Sequence, residues 1–297
     1  MNAAAELARP HLRQHEPMAR HTSWRVGGPA DVYFEPNDLP ELQAFLAGLP
    51  AGTPLLWVGL GSNLLVRDGG FRGAVVCLGK GFAGIAALDE RTLTAGAAVP
   101  CAKLAQQLGR AGLAGGEFLA GIPGTVGGAL AMNAGAHGGE TWQRVRAVQT
   151  IDRAGNVHRR TPADYRIAYR SVAGPPDEWF IGAEFAFEPA DAEQVQAAIH
   201  ALLRRRAATQ PLRQANAGSV FRNPPGDHAA RLIEAAGLKG LTVGKAQVST
   251  VHANFIVNLG GARAADIETL IDTLQQRVEA AFGVRLEPEV RRVGEPG

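Results

Sequence analysis

Gly121-Ile122-Pro123-Gly124-Thr125-Val126-Gly127-Gly128-Ala129 runs directly into Leu130-Ala131-Met132-Asn133. Pro123 and the glycines spell a rigid turn, and the small residues after it suit a short helix. The N-terminus of such a helix points backbone N–H groups outward, which favours a pyrophosphate, although a purely structural turn uses the same residues. No Lys-Ser/Thr pair follows, so this is no Walker A loop. Upstream, Gly59-Leu60-Gly61-Ser62-Asn63 follows an apolar strand. Successive amides in that turn can form an anion nest, with the Ser62 hydroxyl as a further donor, and a plain tight turn fits equally well. Leu64 stands where a Rossmann fingerprint has its third glycine, and no helix opens there. Two such clusters, each after a strand, favour one large dinucleotide-like ligand lying between two subdomains.

Working outward, glycine is concentrated around these clusters. Of 37 glycines in 297 residues, 20 fall between positions 59 and 139. That segment is not a flexible linker, because Leu64, Leu65, Val66, Val75, Val76 and Leu78 run through it. In packed chain, glycine marks a positive φ or a close approach to the backbone. A hydrophobic content of 46% excludes a disordered chain, and no apolar run is long enough for a membrane span. Residues 1–20 carry no apolar h-region, so no secretory leader is expected there. The formal charge of +2 gives no argument for nucleic acid or a membrane surface. Cys77 and Cys101 form no Cys-x-x-Cys pair and read as buried, reduced thiols of a cytoplasmic protein. The eight histidines form no metal-binding spacing, so no metal is assigned.

Three zones follow from the patterning. The first has strands over 31–35, 55–59 and 74–78, with a helix over 39–46 capped by Asp38. The second has a strand over 92–95, a helix over 101–111 ended by Gly112, a hairpin of 145–151 with 156–160, and a strand over 179–187. The third opens with a helix over 191–208, where Asp191 and Gln194 fit a capping-box variant. Next come a strand near Ser219, a helix over 227–236, a strand over 254–258, a helix over 265–282 and a last strand over 285–293. Helices and strands mix without a repeat, which gives an α+β class. The division expected is 1–82, 83–205 and 206–297.

Taken singly, the polar residues of interest have plain readings. Ser219 is a hydrogen-bonded strand serine outside any G-x-S-x-G elbow. Glu287, Glu289 and Arg291 share one face of a strand, as a solvated edge would. Arg166 and Arg170 are equivalent candidates for a cation. Arg204, Arg205 and Arg206 complement the dipole at the end of a helix, or steer an anionic ligand.

The motifs become specific in order. Thr22-Ser23-Trp24-Arg25-Val26-Gly27-Gly28-Pro29-Ala30, the stretches 59–71 and 121–136, Ala217-Gly218-Ser219-Val220-Phe221-Arg222-Asn223-Pro224, His252-Ala253-Asn254-Phe255-Ile256-Val257-Asn258 and Leu286-Glu287-Pro288-Glu289-Val290-Arg291 resemble the UDP-N-acetylenolpyruvoylglucosamine reductase (MurB) family over about residues 20–294. The resemblance implies a two-subdomain FAD-binding domain of the vanillyl-alcohol-oxidase (PCMH) type and a C-terminal α+β substrate-binding domain. It implies non-covalent FAD, NADPH as hydride donor and UDP-N-acetylglucosamine enolpyruvate as substrate. The implied cofactor positions are Arg25, Gly59, Gly61, Ser62, Asn63, Leu64, Gly121, Ile122, Gly124, Thr125, Gly127, Gly128, Ala129 and Asn133. Arg170, Ser219 and Glu289 match the catalytic positions, and Tyr169, Arg170, Asn223 and Gln247 the substrate-binding ones. Val172 and Lys245 depart from the family pattern, Lys245 where a second glycine is usual. All three tyrosines precede residue 187, so the chain resembles the shorter subgroup that lacks a substrate-covering Tyr loop. Alternatives are a flavin oxidase of the same fold acting on an alcohol or sugar lactone, with His137 as a covalent link, or a non-catalytic nucleotide-binding module.

Overall fold

The computed structural model describes residues 11–297. The amino-terminal stretch read for a leader lies, up to residue 10, outside the described residues. Four strands make the first sheet, in the spatial order Leu12–Pro17, Pro29–Phe34, Phe71–Val76 and Leu55–Trp57. The first pair is antiparallel and the others are parallel, joined by helix α1 (Leu39–Gly48). Asp38 accepts the Glu41 amide at 2.8 Å and caps α1. Phe34, Leu42, Phe45 and Leu46 bury the helix against one face, while Met18, Tyr33 and Val75 close the other.

The second sheet is wholly antiparallel, ordered Val157–Arg160, Val145–Asp152, Glu178–Ala186, Thr92–Gly96 and Ile85–Ala87. Helix α2 (Cys101–Ala111) presents Leu104 and Leu108 to its core and ends on Gly112 at φ 63°. Helix α3 (Val126–Met132) follows the glycine turn, with Thr125 as its N-cap. Helix α4 (Ala192–Thr209) starts from Asp191, whose carboxylate accepts the Gln194 amide. A further hairpin, Arg166–Ala168 with Ser171–Ala173, was not legible from the sequence, since each arm is only three residues long and mostly exposed.

The third region has a four-stranded antiparallel sheet, Ala215–Asn216, Ile256–Asn258, Ala246–Val248 and Thr242–Val243, under helices α5 (Ala229–Ala235) and α6 (Ala264–Phe282). Three expectations change here. No strand forms at Ser219; the chain there is irregular, bent at Gly218 and Val220, and the nearest strand ends at Asn216. Helix α5 begins two residues later than its pattern suggested, because Asp227 bonds the His228 amide and Arg231 from outside it. The final strand is only Arg291–Val293, pairing parallel with Leu64–Val66 of the first region.

The regions are sewn together by residues remote in sequence. Trp24 is fully buried in the third region's core and donates Nε1–H to the Ile256 carbonyl at 2.7 Å. Asn258 answers with Nδ2–H to the Trp24 carbonyl. Asp68 caps α6 across the boundary, accepting the Ala264 and Ala265 amides at 2.9 and 3.0 Å. Among the described residues, no helix is long and apolar enough to cross a membrane.

Candidate active site

The two glycine loops face each other across a cleft between the first and second regions. Gly59 and Thr125 meet so closely that a Cβ on Gly59 would stand 2.5 Å from Thr125 Oγ1. Gly61, at φ 60°, packs against the His21 carbonyl, where a Cβ would overlap it. These two glycines therefore make room for the protein itself, whereas a Cβ on Gly128 would find only Thr125 Oγ1, at 3.8 Å. The turn leaves its amides unused: among the described residues, Gly59, Leu60, Gly61, Ser62 and Asn63 donate their N–H groups to no protein acceptor. The Gly124 and Thr125 amides are likewise without one. A run of unbonded amides beside a helix N-terminus is a site for an anion.

Cavities open on both sides of this junction. One, of about 430 Å³, is bordered by Gly59, Gly61, Ser62, Asn63, Leu64, Ile122, Gly124, Thr125, Gly128 and Ala129 and ends at Arg170, Arg222 and Glu289. The other, of about 350 Å³, shares Gly59, Thr125 and Gly128 and reaches Gly127, Trp57, Cys77, Tyr165 and Trp179. Trp57 and Trp179 stack with ring centroids 5.2 Å apart. The Trp57 Nε1–H and the Tyr165 hydroxyl are buried without a partner among the described residues. A flat aromatic wall with unpaired polar atoms suits a nucleobase. An anion seat flanked by two compartments fits FAD, with its pyrophosphate on the amides.

At the far end of the larger cavity, the hairpin tip carries Arg170 at φ 54°. Its guanidinium donates to the Gly135 carbonyl at 2.7 Å and the Asn133 carbonyl at 3.4 Å. Its Nε lies 3.1 Å from Glu289 Oε1, an ion pair whose side chains are only 16% and 13% exposed. The Nε–H does not point along that line, so the contact is ionic and leaves the donor unbonded. Burial pushes the Glu289 carboxyl above its ordinary value, against the pull of Arg170 and Arg222. Asn63 donates to the Glu289 carbonyl at 3.0 Å, and the Glu289 amide donates to the Val220 carbonyl at 2.8 Å. The Glu289 backbone is thus held from the first and third regions at once, while its carboxylate meets Arg170 of the second.

This geometry separates Glu289 from Glu287, which the strand reading put on the same face. Residues 285–290 form no strand; Pro288 makes a single bridge to Phe221, and the Glu287 side chain turns outward, 75% exposed. Arg166 stays exposed on the hairpin arm, whereas Arg170 borders the cavity. Ser219 lies one residue from the carbonyl that holds Glu289, and its hydroxyl has no protein partner among the described residues, but it does not border the cavity.

Other implied positions are placed elsewhere. Arg25 is exposed in a left-handed turn at φ 59°. Gly121 packs beside Ala136 and His137. Asn133 is buried and its amide is spent on Glu140, Ala168 and the Trp142 N–H, which steadies the hairpin rather than bordering the cavity. Asn223 accepts the Ala229 amide at the start of α5, and Gln247 bonds Gly240 and Thr242. Tyr169 is 46% exposed, its ring against the Arg170 guanidinium. Lys245 sits in a hairpin turn whose positive φ falls on Gly244, so the departure from glycine is accommodated. Val172 lines the cavity beside Ser171. His137 occupies another hairpin turn outside both cavities and offers no covalent link there. Cys77, expected to be buried, borders the smaller cavity, with burial raising its thiol. Arg206 is half-buried and donates to Gln210, away from both cavities. Among the described residues, no cluster of metal-ligating side chains occurs.

Arg222 and Trp57 were missed from the sequence. Arg222 stands in the Ser219 motif, but nothing in its spacing shows that the motif folds back onto the hairpin.

Residues 30–161 match the family described as FAD binding domain, and residues 210–293 match UDP-N-acetylenolpyruvoylglucosamine reductase, C-terminal domain. A UDP-N-acetylenolpyruvoylglucosamine reductase of Alkalilimnicola ehrlichii is 57% identical, covering 99% of both chains. That of Methylococcus capsulatus is also 57% identical, over 95% of this chain and 93% of its own. The crystal structure of UDP-N-acetylenolpyruvylglucosamine reductase from Thermus caldophilus superposes with a TM-score of 0.82 at 35% identity, covering 96% of this chain and 99% of that one. With the flavin-type cleft, the buried Arg170–Glu289 pair and this likeness along nearly the whole length, the chain belongs to the UDP-N-acetylenolpyruvoylglucosamine reductase family.

Proposed function

We propose that this chain reduces UDP-N-acetylglucosamine enolpyruvate to UDP-N-acetylmuramate, a step of peptidoglycan precursor synthesis, using non-covalent FAD and NADPH. The observation that carries the reading is the buried Arg170–Glu289 pair at the end of a cavity whose rim is a row of unbonded amides. When bound, FAD would supply the redox chemistry, the relay of hydride from NADPH to the terminal vinyl carbon of the substrate. The chain's residues do the rest. The 59–63 and 124–125 amides would hold its pyrophosphate. Negative charge then grows on the carboxylate-bearing carbon of the enolpyruvyl group as an enolate. Arg170 stabilises that charge, with Glu289 in the same ionic pair. Ser219 delivers its hydroxyl proton to that carbon, which completes addition of hydride and proton across the double bond. A serine alkoxide is strongly basic, so the step needs the cations of the site nearby. Tyr169, Asn223 and Gln247 are assigned to the substrate's outer portion.

We divide the chain into 1–82 and 83–205, which clamp the flavin nucleotide, and 206–297, which closes over the substrate. The enzyme works in the cytoplasm on this reading, and two free thiols suit a reducing compartment.

The test is spectroscopic. Purified protein should be yellow, be bleached by NADPH without oxygen, and regain colour on adding the enolpyruvyl sugar nucleotide. A preparation that is colourless and binds no added FAD overturns the flavoenzyme reading. Ser219→Ala should still bleach but regain colour slower by orders of magnitude; wild-type recovery removes Ser219 from the proton step.

A further inference from the structure

Arg170 carries its charge from a left-handed backbone conformation, which a non-glycine residue keeps only where its surroundings enforce it. Its guanidinium is tied to the second region through Gly135 and Asn133. Its carbonyl is tied to the third region by Arg222, whose Nη2–H donates to it at 3.1 Å. Arg222 is anchored in turn: its amide donates to the Glu287 carbonyl at 2.9 Å, two residues from Glu289. Among the described residues, its only acidic neighbour within ion-pair range is Glu287, at 3.6 Å and 75% exposed, a weak partner in water. Its Nε is buried with no acceptor among the described residues, and its side chain borders the same cavity as Arg170 and Glu289.

We propose that Arg222 is a positioning residue of the reaction, locking the Arg170 hairpin tip against the Glu289 segment and setting a second positive charge beside that pair. The inference rests on the proposed roles of Arg170 and Glu289. Groups facing Glu289 come from every element around it. Arg170 comes from the hairpin, Arg222 from the 219–224 segment, and Asn63 from the first glycine loop; Glu287 and Arg291 lie on its own segment. Of these, only Arg222 touches both the hairpin and the Glu289 segment through hydrogen bonds. It also opposes the burial that raises the Glu289 carboxyl.

The experiment compares wild type, Arg222→Met and Arg222→Lys as FAD-loaded enzymes. It reads the rate of flavin bleaching by NADPH, then kcat and KM for the enolpyruvyl substrate across pH. Arg222→Met should lower kcat about tenfold or more, as loss of one fixed donor does. Its acid limb should move to higher pH, because Glu289 loses a cation that favours its ionised form. Arg222→Lys should return the acid limb close to wild type while recovering only part of kcat, since an ammonium lacks the planar fork. An unmoved acid limb in Arg222→Met, or a change confined to KM or thermal stability, overturns the proposal. If Arg222→Met does not fold, Arg222→Lys with wild-type kcat overturns it alone. Glu289→Gln run alongside separates the two readings: wild-type turnover there sinks the role of Glu289 itself, and severe loss there leaves Arg222 to stand or fall on its own profile.

Discussion

The amide rim at residues 59–63 and the corner formed by Arg170, Arg222 and Glu289 border one cavity, yet they are built from opposite materials. The rim uses backbone alone: glycines let two loops close on each other, and the N–H groups left over face an anion. The corner uses charged side chains from two regions, the arginines held by carbonyls and the carboxylate by the Arg170 charge. Backbone donors are fixed by local chain geometry and cannot titrate. The corner exists only after folding is complete, and its charges depend on burial. Damage to the rim should therefore cost the cofactor, while damage to the corner should cost the chemistry and spare the cofactor.

The largest expected effect breaks the corner. Arg170→Ala and Glu289→Gln should each lower kcat by about 10²–10³, the loss typical of a preorganised electrostatic group, with FAD still bound. Stopped-flow reoxidation of the reduced flavin by substrate measures this, and a loss of flavin content instead would merge the two sides. Next is the rim: Gly61→Ala meets the His21 carbonyl at a positive φ, so the loop must shift. Most flavin should be lost on gel filtration, and retention of a full flavin complement would show that the amides of that turn are not the seat.

Two smaller effects test what holds the sides together. Glu268 binds Arg67 at 2.8 Å and Arg292 at 3.3 Å, joining the first region to the third. Its hydrogen bond to Arg67 holds its carboxyl below the ordinary 4.5. A depressed folded value stabilises the protein in full above pH 4.5 and loses that contribution as pH falls through the lower folded value. Glu268→Gln should thus lower Tm at pH 7, with the gap to wild type closing in acid; a gap independent of pH would assign the loss to packing. Asp68→Ala removes the cap of α6, for which about 1 kcal/mol is usual. Tm should fall about 2–4 °C with kcat unchanged.

Much of the fold was legible because its signals are local. Asp38, Gly112 and Asp191 mark helix ends at their observed places, and the 145–160 hairpin follows its Asp-Arg-Ala-Gly turn. The failures share a cause. At Ser219 and over 285–290 the chain alternates like a strand but has no strand beside it, only the single bridge of Phe221 and Pro288. The Arg166–Ala173 hairpin was hidden because its arms are three residues each and mostly exposed.

By itself, the sequence determined where the glycine turns of the cofactor side lie: glycine, proline and helix-start residues act through the backbone of their own neighbours, so candidate anion-binding turns can be read in place. The resemblance along the sequence already named Arg170 and Glu289, and only the tertiary structure decided that they meet. Without that resemblance, separating Glu289 from Glu287 and Arg170 from Arg166 depends on burial and on contacts between residues 50 to over 100 positions apart, such as Arg222 with Arg170 and Glu289 with Arg170. Tertiary packing alone sets those, since the charge of a carboxylate is tuned by what surrounds it rather than by what precedes it in the chain.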